Sequence, residues 1–516
     1  MSSADEGSGL APEFVRQPPS DGIVTPIANP VTPDSSSVGR ATDRALVHGI
    51  AWSAGSKWLT QIVSWGSTIV VAQILTPNDY GLVGMAAIYL GLVALVSEFG
   101  IGSAIVTLRD LSDDAIAQLN TVSLLIGATI FAISLAAAHP LASFFRTQAL
   151  VPVVFTLSIS FIVGAFKSVP NAILQRNFQF RTLATIDATR ALFAAVFAVT
   201  LAFYGFHYWA LVLSEVSGVA LATVFTVVKS PRRYAIPRFS TIETAITFSR
   251  QVLVGRVAWF VYSNSDFLVA GRMLGQAALG AYDFAWTLTN IPIEKLTSLV
   301  SNVTPTVFAS VQHDKDALER VVLSLTEGIA IVAFPISIGL ALISSDLIYG
   351  VFGAKWANAI LPLQLLGVST ALRSVMPLIP PALTVRGKTR FLMYYGIASA
   401  IIFPIAFFAA SRYGTAGIAA VWVLVYPISC SSLLFMLFKV VTSWRAYWGA
   451  LRGATTATAV MAAIVLATGR MITPVHSLLL RLLIQVGVGA VVYAATVILL
   501  FPDRIAAFRR TLRGAF

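Results

Sequence analysis

Apolar residues run along this chain in about fourteen blocks, separated by short polar joints, between residues 46 and 501. A helix rises 1.5 Å per residue, so blocks of about 20 residues match a hydrocarbon layer about 30 Å thick. The pattern predicts spans over 46–75, 80–107, 116–138, 148–173, 183–205, 207–228, 245–271, 277–308, 321–344, 357–384, 391–411, 414–438, 446–469 and 478–501. Joints between them are short, the longest falling at 229–243, 310–320 and 345–358. The predicted class is all-α and polytopic, because a helix satisfies every backbone polar group within its own segment in lipid.

The first six blocks echo the second six. Gly55-Ser-Lys57-Trp58 in span one answers to Gly255-Arg256-Val-Ala-Trp259 in span seven. Val71-Ala72, Leu75 and Tyr80-Gly81 answer to Val269-Ala270, Leu274 and Leu279-Gly280-Ala-Tyr282. In spans four and ten, Ala165-Phe166-Lys167-Ser168-Val169-Pro170 answers to Ala371-Leu372-Arg373-Ser374-Val375-Met376-Pro377. Six is an even number, so both copies keep one orientation, and a pseudo-two-fold along the membrane normal relates two six-helix lobes. The chain divides into a disordered tail (1–45), an N-lobe (46–229), a linker (230–244), a C-lobe (245–440), two extra spans (441–502) and a basic tail (503–516).

Composition agrees: 57% of residues are hydrophobic and 11% charged, against about 25% charged in soluble domains. The net charge of +12 suggests nucleic acid until the basic residues are placed. About nineteen fall in joints on one face, Arg232, Arg233 and Arg386 among them, and about six on the other. That is the positive-inside pattern, which puts both termini in the cytoplasm and leaves no nucleic-acid footprint. A single cysteine, Cys430, excludes an internal disulfide, and five scattered histidines make no metal-ligand spacing. The sequence holds no phosphate-binding GxxxxGK[ST] loop and no nucleophile–base arrangement, so it calls for no cofactor and gives an enzyme no positive support.

Charges inside hydrocarbon are costly and mark cavities or pairs. Lys57 and Arg256, each about 16 Å into its span, and the matched pair Lys167 and Arg373 are the candidate binding cations for phosphate oxygens. Asp187 and Arg190, one turn apart, form a candidate self-neutralising pair. Asp266 and Asp283 are the candidate coupling-ion carboxylates, with neutralisation of Arg256 as the other reading of Asp266. Pro170, Pro292, Pro305, Pro377, Pro380 and Pro381 are candidate bends, and Trp52, Trp58, Trp65, Trp259 and Trp286 candidate stacking or packing rings.

Ala72-Gln-Ile-Leu-Thr-Pro77-Asn-Asp79-Tyr80-Gly81, Phe99-Gly100-Ile-Gly102-Ser103-Ala104, Pro170-Asn-Ala-Ile-Leu-Gln175-Arg176, and Leu279-Gly280-Ala-Tyr282 running on through Ile291-Pro292 to Pro305 carry a resemblance. Over residues 46–500 the chain resembles the Wzx-type oligosaccharide flippases. These form the polysaccharide transport branch of the multidrug/oligosaccharidyl-lipid/polysaccharide exporter superfamily. The resemblance implies a fourteen-helix, two-lobed bundle in a bacterial inner membrane. It also implies flipping of undecaprenyl-diphosphate-linked oligosaccharide by alternating access, a cationic central cavity, and coupling to H⁺ or Na⁺. Its partners would be the lipid-linked oligosaccharide, a polysaccharide polymerase and export machinery. Two other readings stand beside it: a multidrug exporter of the same fold, for which acidic cavity residues are expected, and a membrane glycan polymerase or ligase, for which a large outer loop is expected.

Overall fold

Short polar joints begin and end the helices by local chemistry. Ser112, Asp314 and Ser443 each occupy an N-cap and accept a hydrogen bond from the backbone N–H three residues on, at 3.2, 2.9 and 3.2 Å. The structure, a computed structural model, describes residues 61, 63–98, 101–108, 110–238, 260, 262–472 and 477–500. Its first half contains α1 (Val63–Ile74), α2 (Pro77–Glu98), α3 (Ile101–Thr107), α4 (Asp113–Phe145), α5 (Leu150–Arg176), α6 (Phe180–Phe203) and α7 (Trp209–Lys229). The second half contains α8 (262–274), α9 (Gln276–Ser310), α10 (Lys315–Leu347), α11 (Ile360–Val375), α12 (Ile379–Val385), α13 (Thr389–Ala410) and α14 (Gly414–Val440). Two more helices follow, α15 (Trp444–Met471) and α16 (Leu478–Leu500).

The duplication read from the sequence reappears as duplicated packing. In the first half α4 packs on α5, α5 on α7, α6 on α7 and α2 on α5. In the second half the equivalent pairs, α10 on α11, α11 on α14, α13 on α14 and α9 on α11, pack in turn. The fold is all-α, two six-span lobes plus two helices, and α15 and α16 lie against α10 of the second lobe. Arg481 of α16 pairs with Asp346 of α10 at 3.4 Å, and Gln485 donates to the same carboxylate at 2.8 Å.

Two predicted elements need correction. The joint expected over 345–358 is not an open loop: a π turn (Ile348–Phe352) and a 3-10 turn (Ala354–Ala359) continue α10 inward and bury Phe352 and Trp356. The span expected over 357–384 is broken into α11 and α12 by a 3-10 turn at Met376–Leu378. Pro377, Pro380 and Pro381 follow one another there, and none of them can supply a backbone N–H. Pro170, in contrast, sits inside the continuous α5.

Candidate functional site

Packing in lipid is driven by close approach of small residues, because lipid tails are as apolar as leucine. Among the described glycines the tightest approach lies between the lobes, where α2 crosses α9. A Cβ at Gly81 would stand 1.8 Å from the carbonyl oxygen of Gln276, and a Cβ at Gly280 would stand 1.8 Å from that of Pro77. The two clashes are images of each other under the internal repeat, so the pseudo-two-fold passes between Gly81 and Gly280.

Polar and aromatic contacts fasten the same seam. Trp356 donates its Nε1–H to the carbonyl of Ala72 at 2.9 Å, and Lys355 Nζ donates to that of Gln73 at 2.5 Å. The Gln73 amide in turn donates to Val351 O at 2.9 Å, and Gln276 donates to Asn78 O at 2.6 Å. The first two bonds give the Ala72 and Gln73 carbonyls at the end of α1 partners from the other lobe, satisfying groups a helix end leaves open. Tyr80 packs edge-on against Phe284 and Trp356, which closes the seam with rings from both lobes.

Behind the seam lies a cavity of about 690 Å³. Its N-lobe wall is built largely of small side chains, Ser64, Ser67 and Thr68 of α1, Gly84 and Ala87 of α2, and Ala191, Ala194 and Ala195 of α6, with Tyr80, Val83, Ile88 and Leu211 between them. The C-lobe contributes Asn264 and Phe267 of α8 and Asp283 and Trp286 of α9. Among the described lining residues the charges are Arg190, Glu215 and Asp283. Arg190 of α6 pairs with Glu215 of α7, at 2.5 Å. The sequence reading paired it with Asp187; the structure exposes Asp187 and brings the carboxylate from the neighbouring helix instead.

The C-lobe side of the cavity is solid. Asp266 is fully buried and accepts three hydrogen bonds: Tyr282 Oη–H at 2.7 Å, Trp422 Nε1–H at 3.1 Å and the Phe267 backbone N–H at 2.9 Å. Trp422 and Trp286 flank Arg373, whose guanidinium carbon lies 4.5 and 4.1 Å from their ring centroids. Arg373 Nη1 is buried and has no acceptor among the described residues. Phe403, Phe407 and Tyr426 complete the aromatic packing around Trp422.

The candidate residues therefore separate. Asp283 faces the cavity, with its carboxylate accepting no hydrogen bond among the described residues, whereas the Asp266 carboxylate is saturated by donors. Arg373 stacks behind Trp286 and does not line the cavity, and Lys167 sits half-buried on α5, also off its wall. Lys57 and Arg256 lie outside the described residues, as do Trp52, Trp58 and Trp259. Sequence reasoning missed Trp422 and Trp356, because tryptophans at membrane interfaces are too common for one to stand out. Trp422 falls in an unbroken apolar block. No group of three or more histidine, cysteine, aspartate or glutamate residues that could hold a metal occurs among the described residues.

Comparison with known proteins gives a consistent pattern. The teichuronic acid biosynthesis protein TuaB of Bacillus subtilis is 24% identical over 89% of this chain and 96% of its own. The lipopolysaccharide biosynthesis protein WzxC of Escherichia coli is 24% identical over 78% of this chain and 83% of its own. Among solved structures, the lipid II flippase MurJ in an inward closed conformation superposes with a TM-score of 0.71 at 15% identity, covering 88% of this chain and all of MurJ, which establishes the shared fold. The family model described as polysaccharide biosynthesis protein matches residues 70–361, more than half of the sequence, and the chain belongs to that family.

Proposed function

We propose that this chain is a flippase. It carries an oligosaccharide linked to undecaprenyl diphosphate from the cytoplasmic to the outer leaflet of a bacterial inner membrane, for exopolysaccharide, capsule or O-antigen synthesis. The observation that carries this reading is a cavity of about 690 Å³ between two repeated lobes, shut at one end by the Gly81–Gly280 crossing. Two lobes around one shared cavity are the framework of alternating access, in which the lobes rock about a fixed site. The family assignment, the relatives named for teichuronic acid and lipopolysaccharide biosynthesis, and the fold shared with a lipid II flippase support it.

The charge asymmetry of the joints assigns the seam end to the outside and both termini to the cytoplasm, so the cavity receives cargo from the inner leaflet. Lys57 and Arg256 are the cations assigned to the diphosphate, while Lys167 and Arg373, which stand off the cavity wall, are assigned to it only through a rearrangement of the lobes during the cycle. Asp283, open to the cavity, is the carboxylate best placed to exchange H⁺ or bind Na⁺ during the cycle, and Asp266 holds the aromatic wall beside it. Transport needs no bond to be made or broken, and no catalytic residues are assigned.

The test is leaflet-resolved labelling of the lipid-linked oligosaccharide in a strain lacking this gene. Cytoplasm-facing accumulation that the gene reverses is the expected result. Normal outward delivery with unextended glycan in the deletion strain would overturn the reading and point to a polymerising enzyme.

A further inference from the structure

We infer that Arg190 is a binding group for the cargo diphosphate and that Glu215 is its built-in competitor, occupying the guanidinium until the headgroup arrives. This inference rests on the flippase reading and assigns a residue to the cargo within it. Arg190 lies about 15 Å along α6, near mid-membrane, on the wall of the cavity. Its stem lies against Gly218 of α7, where an added Cβ would stand 3.5 Å from Arg190 Cγ. The backbone of α7 thus forms a smooth bed that fixes the direction of the side chain.

The guanidinium is under-used for a group at this depth. Of its five N–H donors, one engages a single oxygen of Glu215, and Nε is buried with no acceptor among the described residues. Glu215 is half exposed toward the cavity and uses only Oε1. An ion pair this exposed is weak, whereas a diphosphate offers a planar fork two or more oxygens and twice the charge. The surrounding Ala191, Ala194, Ala195, Ser64 and Ser67 leave the headgroup room and place no other cation of the described wall in competition. When the diphosphate takes Arg190, Glu215 is released with its negative charge facing the cavity. Product loss at the far leaflet restores the pair, so Arg190 itself presents no open positive charge to small anions in the resting state.

The pairing separates two explanations by sign. If Arg190 and Glu215 only tie α6 to α7, removing either end has the same consequence. If Glu215 competes with the cargo, Glu215→Gln tightens binding and Arg190→Gln weakens it. Purified full-length protein in nanodiscs is titrated with farnesyl diphosphate, with farnesyl monophosphate as the control, and thermal unfolding is followed in parallel. Expected are a Kd lowered about fivefold in Glu215→Gln and raised about tenfold or more in Arg190→Gln. Arg190→Lys should recover only part of the loss, because an ammonium lacks the fork. Shifts of Kd in the same direction in the two glutamine variants, or no shift in either, overturn the inference. Wild-type protein is scored separately in the leaflet assay. Restored delivery with same-direction shifts removes only the Arg190 role, while failure of wild type to restore delivery removes the flippase reading and this inference with it.

Discussion

The two lobes share one framework and fill it differently. Around α8, α9 and α14 the C-lobe is packed with Phe267, Tyr282, Trp286, Phe403 and Trp422 about a buried carboxylate. The wall formed by α1, α2, α6 and α7 is dominated by serine, threonine, glycine and alanine, with Ala87 at the repeat position of Trp286, and it borders the cavity. A duplicated bundle can thus keep its helix contacts while one copy becomes a rigid wall and the other a container. Side-chain volume makes the difference, since interiors are otherwise close-packed.

The largest expected effect comes from the place where the lobes are alike. Gly81→Leu puts a branched side chain where even a Cβ would meet a carbonyl at 1.8 Å, so the seam cannot close and delivery to the outer leaflet should fall below detection. Gly280→Leu should do the same, and labelling of a cysteine introduced at the seam should rise in both. Next is the variant that makes the hollow lobe resemble the solid one. Ala87→Phe, at an exposed position on the cavity wall, should abolish delivery of the oligosaccharide with protein abundance and melting temperature unchanged.

Smaller effects test the solid lobe. Arg373→Ala removes the cation between Trp286 and Trp422 and should cost about 2 kcal/mol in thermal unfolding, with delivery reduced about tenfold. Trp422→Phe keeps most of the ring but loses the donor to Asp266, and should destabilise by about 0.6–1.7 kcal/mol, the range of interhelical hydrogen bonds in lipid. Smallest is Lys355→Ala, which removes one exposed hydrogen bond to Gln73 O and should change melting by less than about 1 kcal/mol. A larger loss in Lys355→Ala than in Trp422→Phe would mean that the seam, and not the aromatic wall, limits stability.

The repeat was legible because duplication leaves paired residues at a nearly constant offset, 199 residues for Gly81 and Gly280 and 206 for Lys167 and Arg373. Gly81 and Gly280 stand out in the sequence alone, and the structure gives the reason: each admits the backbone of the other lobe. Pairing between helices was not legible. Helical spacing puts Asp187 beside Arg190, yet the true partner, Glu215, comes from a neighbouring helix whose rotation depends on Gly218 and Ala194 packing face to face. Asp266 was visible as a buried charge, but its three donors come from positions 267, 282 and 422, and no local pattern links α8 to α14. Span 10 reads as a single helix because the apolar pattern has no symbol for a 3-10 turn; only the prolines at 377, 380 and 381 gave notice of it.

The crossing at Gly81 and Gly280 has the form of an isologous interface, in which one surface meets a copy of itself. Pro77 touches Gly280 as Gln276 touches Gly81, so each position in the contact is its own partner's mirror. Such a contact is what two identical six-helix chains would make as a closed dimer, before any linker joined them. In a fused pair Gly81 and Gly280 remain tied to each other, because a side chain added to either meets the backbone of the opposite half.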